Sequence, residues 1–115
     1  NFIDSLDIRG ALNLKSLLAI SNELPRLDVS SNLFLETLLI SDNHIQNIRL
    51  EKNHKLRHLY ITSNRLIDLN VRENLNLIDL RVDRNPGLNC IEIGVDQAIS
   101  TVVKSDYQEL NSQCN

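Results

Sequence analysis

The side chains with chemical reach are few and scattered. Three histidines (His44, His54 and His58), two cysteines (Cys90 and Cys114) and the paired carboxylates Asp79 and Asp83 are the candidates. His54 and His58 stand four apart, a spacing that would share one face of a helix and suit a metal ion. The residues around them alternate with the period of a strand, so the two histidines fall in different parts of the backbone. Neither cysteine has the close C-x-x-C or histidine spacing that zinc requires. Asp79 and Asp83 could act as acid and base, yet on a repetitive strand such a pair is more often a solvated face. No G-x-S-x-G, phosphate-binding loop, H-E-x-x-H or dinucleotide-binding glycine pattern occurs. The expectation is a chain without catalytic residues, metal or cofactor.

What must position any working surface is a repeat. Leu35-Glu36-Thr37-Leu38-Leu39-Ile40-Ser41-Asp42-Asn43-His44-Ile45 reads L-x-x-L-x-I-x-x-N-x-I, and the pattern recurs nearly end to end. Registered on the asparagine, Asn22, Asn32, Asn43, Asn53, Asn64, Asn74 and Asn85 fall at steps of 10, 11, 10, 11, 10 and 11. Apolar residues stand five and three places before each: Leu17/Ala19, Leu27/Val29, Leu38/Ile40, Ile48/Leu50, Leu59/Ile61, Leu69/Val71 and Leu80/Val82. The steps add to a unit of 21 residues in two unequal halves, and a fixed period near 20 marks a solenoid. The alternation turns both apolar side chains to one face of a short strand and the residue between them to water. The asparagine falls where the chain must bend. Its amide donates and accepts at once, so it satisfies backbone groups left bare at the turn. Stacked in successive coils, such asparagines form a ladder, and each loss should cost about 1–3 kcal/mol.

These motifs resemble the leucine-rich repeat family. The resemblance covers residues 3 to about 93, with full units at Leu14–Phe34, Leu35–Lys55 and Leu56–Asn76. They are similar to the short bacterial subclass in which both halves carry L-x-x-L-x-L-x-x-N, and its "LD" signature stands at Leu27-Asp28 and Leu6-Asp7. The resemblance implies a mostly-β solenoid with a parallel sheet on its concave face and short strands or extended segments on the convex face. It also implies binding of macromolecules instead of catalysis. Evenness points the same way: no insertion interrupts Leu14 to Asn85, whereas functional excursions usually hang from a scaffold as irregular loops.

Periodicity also builds the outward faces. Adding 21 places Leu18, Leu39, Tyr60 and Arg81 in one column of the first-half sheet. Ser16, Thr37, His58 and Asp79 flank it on one side, and Ile20, Ser41, Thr62 and Asp83 on the other. The second-half face reads Asp7, Asp28, Arg49 and Asn70, beside Ser5, Arg26, Asn47 and Asp68. The first carries Leu, Leu and Tyr in line, while the second is polar throughout. An apolar stripe facing water marks a binding surface, so Leu18, Leu39, Tyr60, Arg81, His58 and Asp79 are the candidate partner-binding residues. The alternatives are that they face another copy or another domain, or that they are scattered exposed leucines of no consequence.

Composition bounds the partner. The chain is 42% hydrophobic and 23% charged, too apolar for disorder. A net charge of −3 with no basic cluster disfavours nucleic acid and anionic membrane. No apolar run is long enough for membrane insertion. A protein partner fits best, with glycan as the variant. Residue 1 is asparagine, and Ile3-x-x-Leu6-x-Ile8 already lies inside a half-repeat; a solenoid needs a cap over its first coil, so the expectation is a piece of a longer chain.

The domain reading is therefore repeats over 1–93, comprising a partial first coil, three full units and a terminal unit, followed by a carboxy-terminal cap over 94–115. At Asn85-Pro86-Gly87-Leu88 the register slips by one residue. Within the cap, 96–103 reads as a short helix or irregular turn, with Ile99, Val102 and Val103 turned onto the last coil. Cys90 and Cys114 bracket the cap, which points to a disulfide holding a loose terminus, worth about 3–4 kcal/mol on the chain-entropy model. Free thiols are the alternative. The segment N-P-G-L-N-C-I-E-I with its late cysteine also resembles the end of secreted Bacteroidetes-type repeat proteins. The functional expectation is a recognition module of a secreted or cell-surface protein. A structural spacer beside another domain is the runner-up, and an enzyme's substrate-recognition arm is third.

Overall fold

The structure, a computed structural model, describes residues 2–114. Eight strands follow in order: β1 (Ser16–Leu18), β2 (Thr37–Leu39), β3 (His58–Tyr60), β4 (Leu69–Asn70), β5 (Asp79–Arg81), β6 (Cys90–Glu92), β7 (Thr101–Val103) and β8 (Glu109–Asn111). The first-half strands form one sheet in the order β1-β2-β3-β5-β7, and the second-half strands form another in the order β4-β6-β8. Every pairing is parallel. No helix occurs among the described residues. Strands are two or three residues long because the L-x-L alternation ends at once in the asparagine turn.

Register follows the repeat. Ser16, Thr37, His58 and Asp79 pair in succession at steps of 21, and Asp79 then pairs with Thr101 at a step of 22. The extra residue is the slip visible at Leu88, and the second sheet absorbs it too, pairing Leu69 with Ile91. Inward residues stack on their equivalents one coil away. Leu35, Leu38, Ile40, Leu56, Leu59, Ile61 and Leu80 are all wholly buried. Burial of each such side chain stabilises by about 1.5–3 kcal/mol, which no isolated coil achieves alone.

The asparagines sit inside these turns, and the two halves use them differently. In the second half the backbone closes the turn: the N–H groups of Asn32, Asn53 and Asn74 donate to the carbonyls of Val29, Leu50 and Val71 at 3.1, 3.0 and 3.0 Å. Their side chains reach only backward, so Asn53 Nδ2 donates to Val29 O and Asn32 O. In the first half the side chain itself closes the turn. Asn43 Nδ2 donates to Ile40 O at 3.0 Å, as well as to Ala19 O in the preceding coil, while its Oδ1 accepts from Leu24 N. Asn64 and Asn85 repeat this arrangement.

A backbone feature underlies the contrast. Ser21, Asp42, Ser63 and Arg84, each just before a first-half asparagine, have φ of 60°, 58°, 55° and 59°. A left-handed residue turns the following N–H away from the closing carbonyl, and the asparagine amide replaces it. Residue type announces it at Asp42 alone, because glycine, asparagine and aspartate are the usual occupants of that conformation and the other three positions are serine or arginine. Asn22 follows the same pattern, its amide donating to Ala19 O and Ile20 O while its Oδ1 accepts from Ile3 N.

The reading of 96–103 as a short helix or irregular turn needs correction. Val95 and Asp96 form a turn, and Thr101–Val103 is β7, the fifth strand of the main sheet. Ile99 packs on the core as expected, but Val103 points outward and is exposed. Segment 94–114 thus contributes β7 to one sheet and β8 to the other. Glutamines continue both ladders here: Gln97 Nε2 donates to Val71 O and Asn74 O, and Gln108 Nε2 to Val82 O. The longer side chain spans the displacement that the register slip introduces.

Candidate functional site

Pairing in the main sheet lines Leu18, Leu39, Tyr60, Arg81 and Val103 into one outward column. The geometry is that of neighbouring parallel strands, with rows about 4.8 Å apart. Leu18 is 67% exposed. Leu39, Tyr60 and Arg81 are half-buried, because each lies between coils. The apolar part of the column continues sideways to Ile20, which is also exposed.

Around Tyr60 the column becomes a bonded cluster. The Arg81 guanidinium lies over the Tyr60 ring, 4.3 Å from its centre. The Tyr60 hydroxyl donates to Asp79 Oδ2 at 2.8 Å, and Arg81 Nε donates to Asp79 Oδ1 at 3.2 Å. His58 Nδ1 stands 3.5 Å from the same carboxylate. So the polar tip of Tyr60 is engaged within the chain, and what it offers outward is its ring edge and the guanidinium above it. Burial pushes the Asp79 carboxyl up, but the bonds from Tyr60, Arg81 and His58 outweigh it and hold the group below the ordinary 3.8. The same bond from Asp79 raises Tyr60 and Arg81 above their ordinary values. One row further, Thr62 Oγ1 donates to Asp83 Oδ1 at 2.8 Å. Asp79 and Asp83 are each tied to neighbours, an arrangement that positions side chains and leaves no free acid–base pair.

The second-half face differs in kind. Asp7, Asp28, Arg49 and Asn70 are all exposed, and three of them have local work. Asp7 Oδ1, Asp28 Oδ1 and Asn70 Oδ1 accept from the N–H two residues on, at Arg9, Ser30 and Arg72. These are Asx turns that start the next bend. Hydrogen bonds from Ser30 hold Asp28 below its ordinary value, and those from Arg9 do the same for Asp7. The polar column is thereby explained by turn chemistry.

The remaining candidates are spread out. His44 follows a ladder asparagine and is half-buried, and His54 is exposed at a turn, so the structure does not bring the three histidines together. Among the described residues no group of three or more His, Cys, Asp or Glu side chains could hold a metal ion. No described helix is long and apolar enough to cross a membrane. Cys90 and Cys114 form a disulfide with Cα atoms 5.8 Å apart, tying the segment after β8 to β6.

The fold is a leucine-rich-repeat-like solenoid of about 5 turns. No family model matches the chain, and no curated protein does. Among solved structures it resembles the functional domain of InlJ from Listeria monocytogenes, which includes a cysteine ladder. The two superpose with a TM-score of 0.75 at 21% sequence identity, over 96% of this chain and 29% of that one. This chain thus spans under a third of the length of that relative. Its own ladders are asparagine and glutamine, and its two cysteines pair with each other instead.

Proposed function

We propose that this chain recognises a macromolecular partner, a protein in the first instance, through the outward column of its main sheet. The observation that carries the reading is the contrast between faces. Leu18, Leu39 and Tyr60 form an apolar and aromatic line ending in a guanidinium held by stacking and by Asp79. The opposite face is polar and engaged in turn-making. Exposed apolar patches on a rigid scaffold mark interaction sites, and fixed tyrosine and arginine are the side chains enriched at binding hot spots. The structural likeness to InlJ supports a recognition module, and the Cys90–Cys114 disulfide supports a secreted or cell-surface setting. We further read the repeats as the short 21-residue bacterial subclass, and 94–114 as the cap that ends the stack.

Alanine variants of the full chain test the reading, assayed by calorimetry against the partner a pull-down delivers. Tyr60→Ala should weaken binding by about 2 kcal/mol with the fold intact, while Asp28→Ala and Arg49→Ala should be nearly silent. Loss of binding in the Asp28 and Arg49 variants alone would assign the wrong face. Retained binding in all three, and in a Leu18→Asp variant, would favour the spacer role.

A further inference from the structure

A second apolar surface lies away from the main sheet, along the turns that follow the second-half asparagines. Leu12, Leu33 and Leu75 occupy equivalent positions there and are 58%, 52% and 75% exposed, with exposed His54 completing the row. The adjoining row holds Phe34 and Lys55, whose ammonium lies 4.7 Å from the centre of the Phe34 ring. Interior coils bury nearly every other leucine, so a ridge of three bare ones, unrelated to turn chemistry, calls for an occupant.

We infer that this ridge pairs with the same ridge of a second copy of the chain, related by a two-fold axis between the coils of Leu33 and His54. The ridge and the charges beside it are self-complementary. A two-fold axis lying across the ridge reverses the coil order within each row, so the first coil's residue meets the fourth's and the second's meets the third's. Leu12 then meets Leu75, and Leu33 meets His54. In the next row Phe34 meets Lys55 of the second copy and Lys55 meets its Phe34, repeating across the interface the cation–ring contact already present within one chain. Toward the main sheet, Glu36 meets Arg57, an opposite-charge pair made twice. The reversed order leaves both outward columns of the main sheet uncovered, and a dimer of this kind would present two recognition faces at once, with the gain in avidity that follows.

Sedimentation velocity of the full chain over a concentration series, together with charge variants, tests the pairing. The wild type should dimerise reversibly. Arg57→Glu should weaken the dimer by about a hundredfold, since it sets two carboxylates against each other twice. Adding Glu36→Arg to that variant should restore dimerisation by exchanging the charges. The double variant Asn13→Cys, Asn76→Cys should form interchain disulfides, because these positions oppose each other only in the reversed order. A wild type that stays monomeric overturns the inference, as does an Arg57→Glu chain that dimerises unchanged. So does a charge exchange that fails to rescue. Partner binding by the main sheet would be unaffected by any of these results, so the two readings fail independently.

Discussion

The two halves of each coil share L-x-x-L-x-L-x-x-N and end in an asparagine at the same height, yet the same residue does different work in each. In the first half the asparagine amide closes the turn, bonds the preceding coil and accepts a backbone N–H, as Asn43 does. In the second half the backbone closes the turn, and Asn32, Asn53 and Asn74 have buried Oδ1 atoms with no hydrogen-bond partner. The difference tracks the backbone just before the asparagine: Ser21, Asp42, Ser63 and Arg84 are left-handed, and no positive-φ residue precedes Asn32, Asn53 or Asn74. Spacing to the next leucine does not decide it, because Leu88 follows Asn85 by three places, as Leu56 follows Asn53, and Asn85 still closes its turn with its side chain. A shared motif therefore does not imply a shared energetic role.

The largest break in this comparison should come from deleting the amide in each half. Asn64→Ala removes a turn closure, an inter-coil bond and an acceptor together, and should cost about 3 kcal/mol. Asn53→Ala leaves its turn closed and should cost about 1 kcal/mol. Urea melts of the two variants measure the gap, and equal losses would refute the distinction. Next in size is the left-handed position. Ser63→Val should destabilise by about 1–2 kcal/mol, while Ser63→Gly should change stability by less than about 0.5 kcal/mol. At Lys52, the second-half counterpart, φ is ordinary, so Lys52→Gly should itself destabilise by about 0.5–1 kcal/mol. Glycine should thus be tolerated before one asparagine and costly before the other.

A smaller effect should appear with pH. Asp79 in the main sheet is held below its ordinary 3.8. A group depressed on folding stabilises the native state above its unfolded value, and that contribution disappears as pH falls through its folded value. Thermal melts from about pH 7 down to about pH 2 should therefore show a shallower acid decline for Asp79→Asn than for the wild type. An identical slope would mean that the cluster around Tyr60 contributes nothing to folding. The smallest effect should come from the residues one place past the ladder. His44→Ala and His54→Ala should each stay within about 0.5 kcal/mol of the wild type, since neither side chain belongs to a turn closure.

Much of the fold was legible because a repeat states its register many times over. Leu38, Leu59 and Leu80 recur at 21 residues and are buried at 0% exposure, and the column from Leu18 to Arg81 follows by addition alone. Where the period slips, legibility fails. After Leu88 the count no longer predicts alignment, so β7, β8 and the glutamine rungs at Gln97 and Gln108 were hidden, although the coil continues through them. The candidate site was legible as a row of outward positions. Its internal bonding was partly so: stacking of Arg81 on Tyr60 follows from adjacency, but capture of the Tyr60 hydroxyl by Asp79 does not.

Sequence alone determined which residues face inward, which stand in line, and that two cysteines flank the final coil, because apolar alternation at a fixed period leaves one economical way to bury leucine. Only the tertiary structure decided which groups close each turn, which rungs keep an unpaired oxygen, and which side chains of the outward column are already bonded to one another. Those outcomes depend on hydrogen-bond directions that change with the handedness of one backbone residue, and on contacts between coils that lie 19 to 26 residues apart in the chain.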